Sequence, residues 1–279
     1  MMLTYFLICV ALIWLIVATI WDFKKREVPD WLNFSLIAIA LFARLLFSVI
    51  EKNLSFFLWG LFYFVIFLVL ANLFYYSRVF AGGDAKLLIG IGIVLAEPPK
   101  LATFNSIFPL PFTFIINLLF IGSIYGLLYM LVLVFKNKNS FIREFQKKKG
   151  INRLYLILAF ILITMFILTK NWLFIIVAVI TLFLPYLYLA AKVTEKTGLL
   201  KYVWPEQLTE GDWLAQPVKI GKKTIKPTWD GLTKKELVLL RKTKKKIAIK
   251  QGIPFVPAFL MAFVVSFFGN FFEILMALF

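Results

Sequence analysis

Apolar runs separated by short polar breaks occupy most of this chain. Eight of them reach or approach the length of a membrane crossing: about residues 2–20, 31–50, 54–76, 85–96, 107–135, 154–169, 172–191 and 254–279. Crossing the hydrocarbon core takes roughly 20 mostly apolar residues in helix. The pattern predicts an all-α polytopic membrane protein with about eight transmembrane helices, six to eight being possible. The fourth run is the shortest, since the twelve residues from Ala85 to Ala96 make about 18 Å of helix, and a re-entrant segment is its alternative. The first run lacks the basic n-region and small-residue cleavage site of a secretory signal, so it is expected to stay as a helix.

One long stretch breaks the apolar rhythm. Residues 192–253 contain Pro205, Pro217 and Pro227, glycines 198, 211, 221 and 231, and no long apolar run. Ala215–Thr228 reads as short strands around a turn at Gly221. A helix is expected from Thr233, opened by a capping box with Glu236 and continuing through Leu237, Val238, Leu240 and Ile247. This is a small basic α+β subdomain placed before the last helix. The expected division is a four-helix core over 1–100 and further transmembrane helices over 101–191, with a basic loop at 136–153. The subdomain over 192–253 and a C-terminal transmembrane helix over 254–279 follow.

Charge orients these segments. The chain is 62% hydrophobic and only 16% charged, with a formal net charge of +17, whereas soluble domains run about 45–50% apolar. With the N-terminus outside and eight crossings, 27 basic residues fall on inner segments, and Lys52, Lys100 and Lys170 on outer loops. That asymmetry follows the positive-inside rule. The subdomain alone carries +9, which suits anionic headgroups. No stacking platform accompanies its lysines, so no nucleic-acid partner is expected.

The absence of histidine and the single cysteine, Cys9, remove His-based triads, His or Cys zinc sites and a disulfide framework. No metal or other cofactor is expected. Carboxylates, lysines and hydroxyls remain as the chemical repertoire. Two aspartates stand out, because ionisable groups at membrane level are rare and expensive. Asp22 follows the first apolar run, and Asp84 opens the fourth in Gly82-Gly83-Asp84. Two crossings lie between them, so both fall at the inner ends of their helices. Two close carboxylates share a proton and titrate as a pair. One then activates water while its protonated partner polarises a carbonyl. Gly82 and Gly83 would let a substrate strand approach the backbone. The competing reading makes Asp22 an interfacial charge paired with Lys24–Arg26 and Asp84 a helix N-cap.

The motif Asp22-x-x-x-Arg26-x-Val28-Pro29-Asp30-x-Leu32, together with Gly83-Asp84-x-Lys86-Leu87, resembles the type IV prepilin peptidase family, membrane aspartic proteases with a G-x-G-D motif. Ala81 stands at the first glycine of that motif, and Asp30 where many members carry Asn. The resemblance is specific over about residues 1–100. Glu210–Leu214 and Gly252–Ala258 look like the C-terminal part of archaeal members. It implies an aspartic endopeptidase that removes class III signal peptides from prepilin or prearchaellin precursors, in the plasma membrane and at its cytoplasmic face. Asp22 and Asp84 would be the catalytic dyad, Gly82 and Gly83 would support the motif, and Glu27 and Asp30 are candidates for contacting the basic substrate leader. Without Cys-x-x-Cys pairs, the methyltransferase activity of bacterial members is not expected. Precursor proteins and membrane lipids are the expected partners. A presenilin-like intramembrane protease and a proton-coupled transporter using the same aspartates are the alternatives.

Lys86 and Arg26 are expected to anchor helix ends at the headgroups, and Arg44 to snorkel outward. Trp14, Trp21, Trp31, Trp59 and Trp172 are read as interfacial anchors, and Gly90 and Gly92 as points of close helix packing. Asp212 is expected to brace a turn in the subdomain, Cys9 to be buried, and Glu273 has no assigned role.

Overall fold

The computed structural model describes residues 2–97, 108–147, 153–220, 223–228, 231–243 and 245–271. The expected turn at Gly221, the outer Lys100, part of the 136–153 loop, Asp230 and Glu273 lie outside those residues. The chain forms two compact units, Met1–Leu127 with Ile253–Phe279, and Leu128–Gly252. Among the described residues, five helices are long and apolar enough to cross a membrane, which makes this a multi-pass membrane protein.

The first unit contains α1 (Met2–Lys25), α2 (Asp30–Ile50), α3 (Ser55–Tyr76), α4 (Gly82–Val94), the first part of α5 (Leu110–Lys136), and α10 (Val256–Val265). Its helix ends follow local chemistry. Proline fixes its own φ near the value that precedes a helix, and Pro29 stands as the N-cap of α2 at φ −67°. Arg26, Lys52 and Arg78 adopt positive φ just beyond the ends of α1, α2 and α3. A left-handed residue there closes the helix, and its positive charge complements the carbonyl end of the dipole.

α4 is the core of this unit. Ala85 and every residue from Leu87 to Val94 are buried, and α2 and α3 both pack along the helix. A helix apolar on all sides is stable where protein encloses it. This explains how a 13-residue helix, about 20 Å long, is accommodated at membrane depth. Close packing at Gly90 and Gly92 is as expected. A Cβ on Gly90 would stand 2.9 Å from Leu36 Cδ2, and one on Gly92 would enter the Phe67 ring.

Arg44 departs from its expected place. It is 2% exposed, not snorkelled outward. Its Nε donates to the Ile93 carbonyl at 2.9 Å, Nη2 to Val94 O at 3.1 Å and to Ala96 O, and Nη1 to Phe56 O at 3.3 Å. The last carbonyls of a helix have no partner within it, and in a membrane such groups must find one inside the protein. Arg44 supplies it, and Gly60 leaves room for its stem. Trp14 is likewise no anchor, because its indole donates to Ser35 Oγ at 2.9 Å and ties α1 to α2. Cys9 lies on the exposed side of α1.

The C-terminal apolar run is interrupted. α10 ends at Val265, and Gly269 takes φ 124°. Asn117, fully buried, donates to Ser266 Oγ at 3.1 Å and Gly269 O at 3.0 Å, and accepts from the Phe271 N–H at 2.7 Å. The broken backbone thus finds its partners on α5.

The second unit contains the end of α5, α6 (Lys138–Lys147), α7 (Arg153–Thr169), α8 (Trp172–Gly198) and the expected small sheet region. β1 (Leu200–Val203) and β2 (Trp213–Leu214) pair antiparallel on either side of β5 (Ile247–Lys250). β3 (Val218–Ile220) and β4 (Lys223–Ile225) form the expected hairpin. α9 (Lys234–Leu240) starts from the expected capping box, with Thr233 N–H bonded to Glu236 Oε2 at 2.9 Å and Glu236 N–H to Thr233 Oγ1 at 3.4 Å. It is shorter than expected, and Ile247 lies in the central strand instead, paired with Val203. There Ile247 joins Val203, Leu208, Leu214, Leu237 and Leu240 in a common core. Asp212 braces its turn by accepting the Thr209 N–H at 2.7 Å.

Candidate active site

Asp22 lies in the last turn of α1 and Asp84 in the first turn of α4. Asp22 is 4% exposed and Asp84 is half-buried. The fold brings them within electrostatic range, and Asp22 is the charged group that acts on Asp84. Neither is an isolated interfacial charge, and Asp84 is not an N-cap, since Ala81 fills that position. Asp84 reaches back toward the Ala81 backbone N–H, one half of the reciprocal arrangement seen in capping boxes.

Asp22 is held by a part of the chain far from it in sequence. Its Oδ2 accepts the Val256 N–H at 2.9 Å, and the Phe255 N–H also acts on the carboxylate. These are the free donors at the start of α10. The N-cap of that helix, Phe255, offers no side-chain acceptor. Asp22 therefore serves as the missing cap, and the positive end of the helix offsets part of the cost of burying its charge. Arg26 contributes a further favourable charge. Nothing in the sequence indicated where the start of α10 docks.

The motif glycines differ in role. A Cβ on Gly83 would stand 3.3 Å from the Cβ, N and O of Val28. The space left by its missing side chain is thus occupied by the chain's own 26–29 turn rather than open to a substrate strand. A Cβ on Gly82 would meet only Tyr75, at 3.7 Å. Ala81, at φ −70°, has a backbone that any residue adopts, which accounts for alanine at this position. Asn33, absent from the sequence-derived candidates, is fully buried beside them and donates to the Gly83 carbonyl at 3.2 Å.

Of the acidic candidates for a substrate leader, Glu27 is exposed. Asp30 forms an ion pair with Lys86 at 2.6 Å. Lys86 also lies over the Phe34 ring at 5.4 Å, so it joins the starts of α2 and α4 within the protein. Glu210 lies 3.6 Å from Lys234. Among the described residues, no group of three or more Cys, Asp or Glu side chains is arranged to hold a metal ion.

No curated protein matches the chain. A family model described as the type IV leader peptidase family matches residues 9–131, a stretch that holds most of α1, all of α2 to α4, both aspartates and most of α5. Over residues 9–131 this chain is therefore similar to the type IV leader peptidase family.

Proposed function

We propose that the protein is an aspartic endopeptidase that removes class III signal peptides from pilin-like or archaellin-like precursors at the cytoplasmic face of the plasma membrane. Asp22 and Asp84 form its catalytic dyad. The observation that carries this reading is the convergence of two carboxylates, 62 residues apart in sequence, at neighbouring helix ends within the family-matched segment.

The pair holds one proton. The ionised carboxylate takes a proton from a water molecule as the water oxygen bonds to the scissile carbonyl carbon. The protonated partner gives its proton to the carbonyl oxygen. Collapse of this tetrahedral intermediate breaks the C–N bond, with a proton passing to the leaving amine. Such chemistry needs neither histidine nor metal.

Asp22 comes three residues before α1 ends at Lys25, and basic residues gather on that side of the helices. A dyad at this level suits cleavage at the membrane interface, where a basic leader meets an apolar helix. The exposed carboxylates of Glu27 and Asp30 are suited to contacts with that leader, with Lys86 as the competitor for Asp30. The basic residues of the chain favour anionic lipid headgroups.

The test is cleavage of a prepilin-type precursor by the purified protein in lipid or detergent, read as a mobility shift of leader length. Asp22→Asn and Asp84→Asn should each abolish the shift while the protein stays folded. Cleavage that survives both substitutions would dismiss the aspartic mechanism.

A further inference from the structure

The first turn of α4 must hold still if Asp84 is to keep its place beside Asp22. Three contacts tie that turn to the segment connecting α1 with α2. Val28 packs against Gly83, Asp30 pairs with Lys86, and Asn33 donates to the Gly83 carbonyl. The Asp30–Lys86 pair is substantially exposed, with the Asp30 side chain 63% accessible, so solvent weakens it. The Val28 contact is steric and sets a distance without a direction. The Asn33 bond is directional and comes from a fully buried side chain, and it acts on the carbonyl of the peptide that leads into Asp84.

The chemistry of Asn33 fixes its orientation. A carbonyl oxygen accepts only from a donor, so the Nδ2 side of the amide must face Gly83. Oδ1 is then left fully buried with no hydrogen-bond partner. A buried acceptor without a partner is a burden that leucine, of similar size, would not carry at this position. We propose that Asn33 is a positioning residue for the dyad, its amide holding the Gly83 carbonyl and with it the Gly83–Asp84 peptide. Its role in the reaction rests on the proposed peptidase activity, whereas its hold on Gly83 does not. A displacement of about 1 Å in a reacting group is enough to lose roughly a hundredfold in rate, so one lateral bond at this turn has leverage on catalysis.

The experiment compares the full-length wild type, Asn33→Leu and Asn33→Thr in detergent. The substrate is a synthetic precursor with a short basic leader and an apolar helix. Asn33→Leu should lower kcat by about tenfold to a hundredfold, with KM within about twofold and no fall in melting temperature. Asn33→Thr, which keeps a donor, should recover part of the loss. Amide exchange in a peptide covering residues 81–88 should accelerate in the leucine variant and less in the threonine variant. A leucine variant with wild-type kcat would overturn the proposal, as would a loss of activity that tracks melting temperature in both variants. Should the wild type cleave nothing, the peptidase reading falls, and exchange alone decides whether Asn33 holds Gly83. Acceleration upholds that hold, and unchanged exchange overturns it.

Discussion

The two units solve the same problem, holding a short element in place, by different physics. In the first unit, α4 is buried on all sides, and directional bonds from side chains distant in sequence fix both of its ends. Asn33 acts at the Gly83 carbonyl, and Arg44 at the carbonyls of Ile93, Val94 and Ala96. In the second unit, α9 is capped by its own residues Thr233 and Glu236 and held by an apolar core with two flanking β-ladder pairings. Water can satisfy an exposed helix end, so a local cap is enough there. Where water is excluded, the orphan groups need partners brought by tertiary packing. The catalytic candidates belong to the first regime, which is why their surroundings are built from long-range contacts.

Substitutions at the dyad should have the largest effect of any in this comparison. Asp22→Asn should reduce precursor cleavage by on the order of a thousandfold or more. Because Asp22 also caps α10, Asp22→Ala, which removes the acceptor that asparagine would keep, should lower the melting temperature as well. Asp84→Ala, at a residue that caps no distant helix, should abolish cleavage with less thermal penalty. Equal thermal losses would count against the capping role of Asp22.

Arg44→Leu comes next. It strips the Ile93, Val94, Ala96 and Phe56 carbonyls of their partner in a dry setting, and about 3 kcal/mol of stability should be lost. Thermal unfolding in detergent would register this, and no gain in unfolding cooperativity is expected. Gly92→Ala should follow at about 1–3 kcal/mol, because the added methyl enters the Phe67 ring. Gly82→Ala, with only Tyr75 at 3.7 Å, is the matched control and should be nearly silent in the same assay.

The second unit should respond on a smaller scale. Thr233→Ala removes a local cap and should lower stability by about 1 kcal/mol while leaving precursor cleavage unchanged. A loss of cleavage comparable to that of the dyad variants would erase the functional distinction between the units. Lys86→Ala should have the smallest effect, under about 1 kcal/mol, since its ion pair with Asp30 is open to solvent.

The periodicity and charge asymmetry of the sequence determined much of this protein. Apolar runs marked the membrane helices, and the excess of lysine and arginine gave the expected orientation. Counting crossings put Asp22, at the end of α1, and Asp84, at the start of α4, on the same expected side. The capping box at Thr233 and the β3–β4 hairpin were legible too, because caps and turns are written by neighbouring residues. Ile247 was not, since a short apolar cluster after a helix has the same pattern whether it extends that helix or begins a strand.

Only the tertiary structure decided which groups secure the site. Asn33, Arg44 and Asn117 look in sequence like stray polar residues in apolar runs. Their partners are the backbone carbonyls of Gly83, Ile93, Val94, Ala96 and Gly269, and Asp22 in turn is bound by the backbone N–H of Val256. Nearly every residue carries such backbone groups, so side-chain identity gives no signal of which one will be met. The need to satisfy them away from water, together with the packing that brings distant segments together, selects the partner.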